Sequence, residues 1–233
     1  MIKKIWCISD THGKHGQLDI PENIDLVIHS GDVGTVREPS MNANVVLDFI
    51  EWYKSLPIKH KVFIGGNHDT SIEHRLVGKS EIGEDITYLE HESIEIEGLK
   101  IFGSPFTPTF GHGWSFNKAR HKLDRYWSEI PRDTDILITH GPPKGILDTT
   151  ENGILSGAVG NGNKLVCSCG DKSLLKHVRE IQPLVHVFGH IHNEDSCLNA
   201  AIMQIQGCRT KFINASVLDL DYKINNNGFI IDI

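Results

Sequence analysis

Short apolar, β-branched runs break off into polar clusters five times along this chain, and that pattern restricts the fold more than any other. The runs cover residues 5–8, 26–29, 62–64, 136–139 and 185–188. Each is nearly continuous in apolar character and too short for a helix. Strands covered on both faces have this texture, as in α/β proteins, whereas a half-exposed strand alternates. Helical spacing fills the gaps. Val45, Val46, Phe49 and Ile50 share one face of a helix that should end before Pro57. Phe116, Leu123 and Trp127 mark another, ending before Pro131. Asp171 reads as the N-cap of a third, with Leu174, Leu175, Val178 and Ile181 as its apolar face and Pro183 beyond its end. Residues 93–97 alternate, and 99–102 follow Gly98, the pattern of a hairpin with one wet face. Residues 202–205, 212–213 and 229–231 predict further strands, and 225–228 a turn. With no linker, repeat or low-complexity stretch, residues 1–233 are expected to form a single domain.

A chain of 233 residues buries about 70% of its unfolded surface, so no metal or disulfide is needed merely to hold the fold. Lys and Arg total 23 against 30 Asp and Glu, a formal net charge of −7. That balance argues against bulk binding to nucleic acid or an anionic membrane. A phosphate-bearing substrate must then meet local positive charge, and bound metal ions are one source. The apolar run before Ser9 is too short for a signal peptide, no stretch is long enough to span a bilayer, and a cytoplasmic location is expected. Five cysteines are an odd count, read as free thiols. Cys167-Ser168-Cys169 lacks the second ligand pair of a zinc site.

The chemistry lies where the apolar runs stop. The first ends in Asp10-Thr11-His12, the second in Gly31-Asp32 and the third in Gly65-Gly66-Asn67-His68-Asp69. The fourth ends in Thr139-His140-Gly141-Pro142-Pro143 and the fifth in Gly189-His190-Ile191-His192. Ligands of α/β sheets gather outside the carboxyl ends of strands. Carboxylate, amide oxygen and imidazole, without thiolate, suit divalent Mn, Fe or Zn. On extended backbone Asp10 and His12 would face the same side, as would His190 and His192, and Asp32 can bridge two ions. The glycines permit sharp turns and close backbone approach.

This ordered series resembles the five motifs of the calcineurin-like metallophosphoesterases. Ile101-Phe102-Gly103-Ser104-Pro105, the loop with Trp114 and Phe116, and Phe212-Ile213-Asn214-Ala215-Ser216 are similar to the branch of metallophosphoesterase-domain proteins. The resemblance implies an α/β fold, a four-layer αββα sandwich of two mixed sheets with the metals at one edge. It implies two divalent ions, Mn or Fe with Zn as an alternative. Asp10, His12, Asp32 and His192 would hold one, and Asp32, Asn67, His140 and His190 the other. Asp32 and His68 would be catalytic, His68 as proton donor. The implied reaction is hydrolysis of a small phosphate ester, with diesters of cyclic-nucleotide or nucleotide type favoured, by attack of a hydroxide shared between the ions. A phosphomonoesterase or protein phosphatase on the same site is the rival, and a non-catalytic metal-binding scaffold a further one. No stable nucleic-acid or membrane partner is expected. One departure is Asn193-Glu194-Asp195-Ser196, where that branch has glycine and an aromatic, which touches substrate positioning and not metal binding.

Other features have two readings. Asp69 orients His68 or serves the backbone. Trp114, Phe116 and His112 form an aromatic wall over substrate or pack elsewhere. Lys118, Arg120, His121, Lys122 and Arg125 form a solvated helix face or a phosphate site.

Overall fold

Strand β1 (Lys4–Ile8) buries both faces, Trp6 and Ile8 into one core and Ile5 and Cys7 into another. The computed structural model describes residues 1–151, 167–194 and 197–233. The further strands are β2 (Leu26–His29), β3 (His60–Phe63), β4 (Thr87–Tyr88), β5 (Glu92–Ile96), β6 (Leu99–Ser104), β7 (Thr107–Pro108), β8 (Asn117–Lys118), β9 (Ile136–Thr139), β10 (Thr149–Thr150), β11 (Cys167–Ser168), β12 (Val185–Phe188), β13 (Ala201–Met203), β14 (Lys211–Asn214) and β15 (Phe229–Asp232). The helices are α1 (Pro39–Ser55), α2 (Thr70–Glu73), α3 (Lys79–Ile82), α4 (Arg120–Trp127) and α5 (Lys172–Ile181).

One sheet runs β15-β1-β2-β3-β4, parallel except for β15. The other runs β13-β14-β12-β9-β6-β5, with antiparallel β13 and β5 at its edges. The alternation of side chains across each strand sorts the interior into three clusters. Ile5, Leu26, Ile28 and Val62 meet Ile101, Ile136, Ile138, Val187 and Ile213 between the sheets. Trp6, Val27 and Phe63 face Phe49, Ile50 and Tyr53 of α1. Phe102, Leu137, Phe188 and Phe212 face Leu123 and Trp127 of α4 and Leu174 and Val178 of α5. The layers are therefore helix, sheet, sheet, helix, the αββα sandwich.

Caps set the helix ends. Glu38 accepts from the Met41 amide at 2.8 Å, with Pro39 opening α1. The Tyr53 hydroxyl is shared between the Val27 and Val62 carbonyls at 3.0 and 2.9 Å, which pins the far end of α1 to the sheet. Asp171 caps α5 through the Leu174 amide at 2.8 Å and accepts from the Trp127 indole of α4 at 3.0 Å. The expected helix containing Phe116 is corrected: Phe116 lies before α4 with φ of 54°. Its ring packs against Gly65, where an added Cβ would come within 2.8 Å of it. Among the described residues no helix is long and apolar enough to cross a membrane.

Candidate metal centre

The carboxyl ends of β1, β2 and β3 converge with those of β9 and β12 where the two sheets meet. A parallel bridge between Ser9 and Ser216 joins the sheets at this point. Ligand atoms of Asp10, His12 and His192 lie within 4.8 Å of one another, and so do those of Asp32, His140 and His190. Asp32 Oδ2 stands between the sets, 3.8 Å from His12 Nε2 and 3.3 Å from His140 Nε2. His192 Nε2 is 3.4 Å from Asp10 Oδ1. Asn67 Oδ1 accepts from His140 Nε2 at 2.9 Å. All seven residues expected as ligands are thus brought together.

Three of the imidazoles are fixed from behind. His12 Nδ1 donates to the Gly34 carbonyl at 2.7 Å, His140 Nδ1 to Ser30 at 2.9 Å and His192 Nδ1 to Asp219 at 3.1 Å. An imidazole whose Nδ1–H is committed this way presents Nε2 to the centre, the usual arrangement of a metal-binding histidine. Asp10 accepts twice from the His190 amide at 3.0 Å and from the Ser216 hydroxyl at 2.8 Å.

The electrostatics favour a cation. Burial pushes His140 down, but the charges of Asp32 and Asp10 override it and lift its pKa to about 9. Burial pushes the Asp32 carboxyl up, but His140, His68 and His12 hold it well below the usual carboxylate range. Burial drives His12 down to about 4 and His190 to about 3, so both rings are neutral lone-pair donors at pH 7. The donor set therefore fits hard or borderline divalent ions.

The backbone corrects the extended-segment argument. Asp10, His12, Asp32 and His190 have φ of 55°, 41°, 59° and 70°, the left-handed region that costs a non-glycine residue about 1 kcal/mol or more. Asp10 and His12 fall in one set by way of these turns. His190 and His192 separate into different sets. Asp69 does not orient His68. Its carboxylate accepts from the amides of Asp32, Gly34 and Gly66 at 3.0, 2.7 and 2.7 Å and so ties the loops after β2 and β3 together. Burial, with the Asp32 charge, pushes its pKa up to about 7. The roles of His29 and Ser216 escaped the sequence reading. His29 Nε2 donates to Thr11 Oγ1 at 3.0 Å and its Nδ1 accepts from the Gly31 amide at 3.2 Å, linking the first two loops. A histidine closing an otherwise apolar strand was the available signal.

A cleft of about 180 Å³ opens over these residues, walled by His68, Phe110, Trp114, Ile191, Leu220 and Tyr222. The aromatic loop divides: Trp114 joins the wall, Phe116 joins the core and His112 is exposed. Glu194 also lines the cleft, while Asp195 and Ser196 lie outside the described residues. In the basic helix, Arg120 donates to the Gly170 and Cys169 carbonyls at 3.2 and 2.9 Å, and Lys122 and Arg125 face solvent.

Residues 3–194 match the family described as calcineurin-like phosphoesterase. The human protein "Metallophosphoesterase domain-containing protein 1" is 32% identical over 252 residues, covering 97% of this chain and 70% of that protein. The Caenorhabditis elegans "UPF0046 protein K07C11.7" is 31% identical over 227 residues, covering 91% of this chain and 69% of its own length. Among solved structures, the phosphopantetheinyl hydrolase of Mycobacterium tuberculosis superposes with a TM-score of 0.61 at 14% identity, over 100% of this chain and 96% of that one. That likeness speaks for the fold. The sequence match, the sandwich and the convergence of carboxylate, amide and imidazole groups agree: the chain belongs to the calcineurin-like phosphoesterase family.

Proposed function

We propose that residues 1–233 act as one domain that hydrolyses phosphate diesters with two divalent cations. The ions would be Mn or Fe, with Zn as an alternative, held by Asp10, His12, Asp32 and His192 on one side and Asp32, Asn67, His140 and His190 on the other. The observation that carries this reading is the pair of ligand sets meeting at Asp32, each drawing side chains from both sheets. Bound there, two such ions supply Lewis acidity and make a water acidic enough to serve as nucleophile near neutral pH. The chain does the rest. The glycines and Asp69 hold the ligand loops, and the cleft walls exclude bulk water. As the water oxygen bonds to phosphorus and gives up a proton to solvent, the ester P–O bond breaks and His68 gives a proton to the departing oxygen. His68 lies close enough to His12 and Asp32 for ligation, within 4.8 Å. It lacks the Nδ1–carbonyl bond that fixes His12, His140 and His192.

Two observations favour a diester. The described residues lining the cleft include no lysine or arginine to pair with the second negative charge of a monoester. Phe110, Trp114 and Tyr222 offer flat apolar walls, which suits an aromatic ester such as a nucleotide.

With Mn supplied, methyl nitrophenyl phosphate should be cleaved with higher kcat/KM than nitrophenyl phosphate. The reverse order assigns the site to monoesters, and no turnover of either with both ions bound assigns a scaffold. His68→Ala should keep both ions and slow alkyl esters by about 10²–10⁴-fold while slowing nitrophenyl esters much less. Equal losses, or a missing ion by mass spectrometry, remove His68 from the donor role.

A further inference from the structure

His68 lacks the ring hydrogen bond that holds His12, His140 and His192. Its Nδ1 is shielded from solvent and has no hydrogen-bond partner. Among the described residues its ring makes no hydrogen bond at all. Only its backbone is tied, the amide to Asp32 Oδ1 at 2.7 Å and the carbonyl to the Asn42 side-chain amide at 2.8 Å. Ring packing must therefore set the side-chain angles. One neighbour is His12, edge-on at 4.6 Å and 83°. The other is Trp114, at 4.4 Å between ring centroids and 50° between planes.

Trp114 is itself secured from outside the cleft. The Arg37 guanidinium lies 3.7 Å from its ring centroid, a cation–π contact. Phe110 stacks on it at 5.8 Å and 29°. Arg37 makes no ion pair among the described residues, so the indole face is its principal contact. Three loops meet in this column: Arg37 follows β2, His68 follows β3 and Trp114 precedes β8.

We propose that Trp114, with Arg37 laid over it, is the positioning residue for His68. The inference rests on the reading of His68 as proton donor. A donor ring without hydrogen bonds can rotate between rotamers, and the indole removes that freedom on the side facing the cleft. Positioning of this kind matters, because a misplacement of about 1 Å can cost roughly 10²-fold in rate. Trp114 then affects the step in which the leaving oxygen takes its proton, and its effect scales with how badly that oxygen needs one.

The test compares methyl phenyl phosphate with methyl nitrophenyl phosphate. The two leaving groups are nearly equal in size, but phenolate departs far less readily without a proton. In Trp114→Leu, kcat for the phenyl ester should fall about tenfold more than kcat for the nitrophenyl ester, with metal content unchanged. Trp114→Phe restores a ring and should recover most of the loss, and Arg37→Ala should show the same pattern more weakly. His68→Ala combined with Trp114→Leu should be no slower than His68→Ala alone, because both act through one group. Equal losses on the two esters, a change confined to KM, or additive losses in the double variant overturn the proposal, and a KM-only change makes Trp114 a substrate-stacking wall. A second readout needs no turnover. In chelator-treated protein, the His68 ring signal in proton–carbon NMR should move on Trp114→Leu, and an unmoved signal overturns the contact. If His68→Ala itself shows no leaving-group dependence, the donor assignment fails, while the NMR shift still reports whether Trp114 holds the ring.

Discussion

His186 lies in β12 with no exposed surface and takes no part in the metal centre. Its Nε2–H donates to Thr139 Oγ1 at 2.9 Å, and that hydroxyl donates onward to the Gly141 carbonyl at 2.8 Å. Nδ1 is bare, so the ring is neutral in the fold, and burial pushes its pKa from 6.5 down to about 3. The unfolded chain takes up a proton here below pH 6.5 while the folded chain does not. Stability from this residue is therefore complete above that value and is lost as pH falls towards 3. Between pH 7 and pH 5 the loss is about 2 kcal/mol. Urea unfolding of chelated protein at the two pH values should show that difference shrink by this amount in His186→Met; an unchanged difference would mean that His186 is charged in the fold. At this scale the sequence was most legible for chemistry. Asp10, His12, Asp32, Asn67, His140, His190 and His192 announce themselves by type, since few side chains offer such donors. The supporting roles of His29 and Ser216 were not legible, because each depends on a partner far away in the chain, Thr11 for one and Asp10 for the other.

At the scale of elements, the strand ends are held together by the absence of side chains. An added Cβ at Gly189 would sit 2.0 Å from Asp10 Oδ2 and 2.2 Å from Ser9 Oγ, and one at Gly66 would sit 2.3 Å from Asp32 Oδ1. Space rather than backbone angle is what excludes a methyl at Gly189. Gly189→Ala should therefore push the end of β12 off the end of β1, destabilising the protein by about 3 kcal/mol and weakening metal binding. Circular dichroism melts and metal content by mass spectrometry check this; wild-type affinity with a wild-type melt would mean that the strand ends tolerate the separation. The five apolar runs foretold β1, β2, β3, β9 and β12 because continuous apolar character is a local property. Phe116 misled because its spacing to Leu123 and Trp127 fits a helical repeat. The spacing does not say which core each side chain joins. Phe116 enters the cluster beneath α1, whereas Leu123 and Trp127 enter the one beneath α4 and α5. No helix can serve both directions with one face.

For the whole molecule, three apolar clusters hold the sandwich, and the candidate ligands lie at its rim. Chelation should then abolish activity and leave a cooperative unfolding transition, with a lower midpoint because ions bound only to the native state stabilise it, by about 2.7 kcal/mol for a site at a hundredfold excess over Kd. Loss of the native circular dichroism spectrum in chelator at room temperature would make the ions structural. The order of layers was not readable from periodicity, which describes each element alone; it came from the resemblance, because pairing between sheets is a relation across space. That relation has a consequence for synthesis. β1 lies inside its sheet only because β15 pairs with it, Ile5 opposite Ile231 and Trp6 opposite Ile230, and the Trp6 indole donates to the Asn227 carbonyl at 2.8 Å. Of the described strands, β1 is made first and β15 last. Until then a strand as apolar as any in the protein has one unpaired hydrogen-bonding edge, open to whatever extended segment a crowded nascent chain meets. Closure of the first sheet must wait for β15, so the edge of β1 needs protection while the strands between them are made.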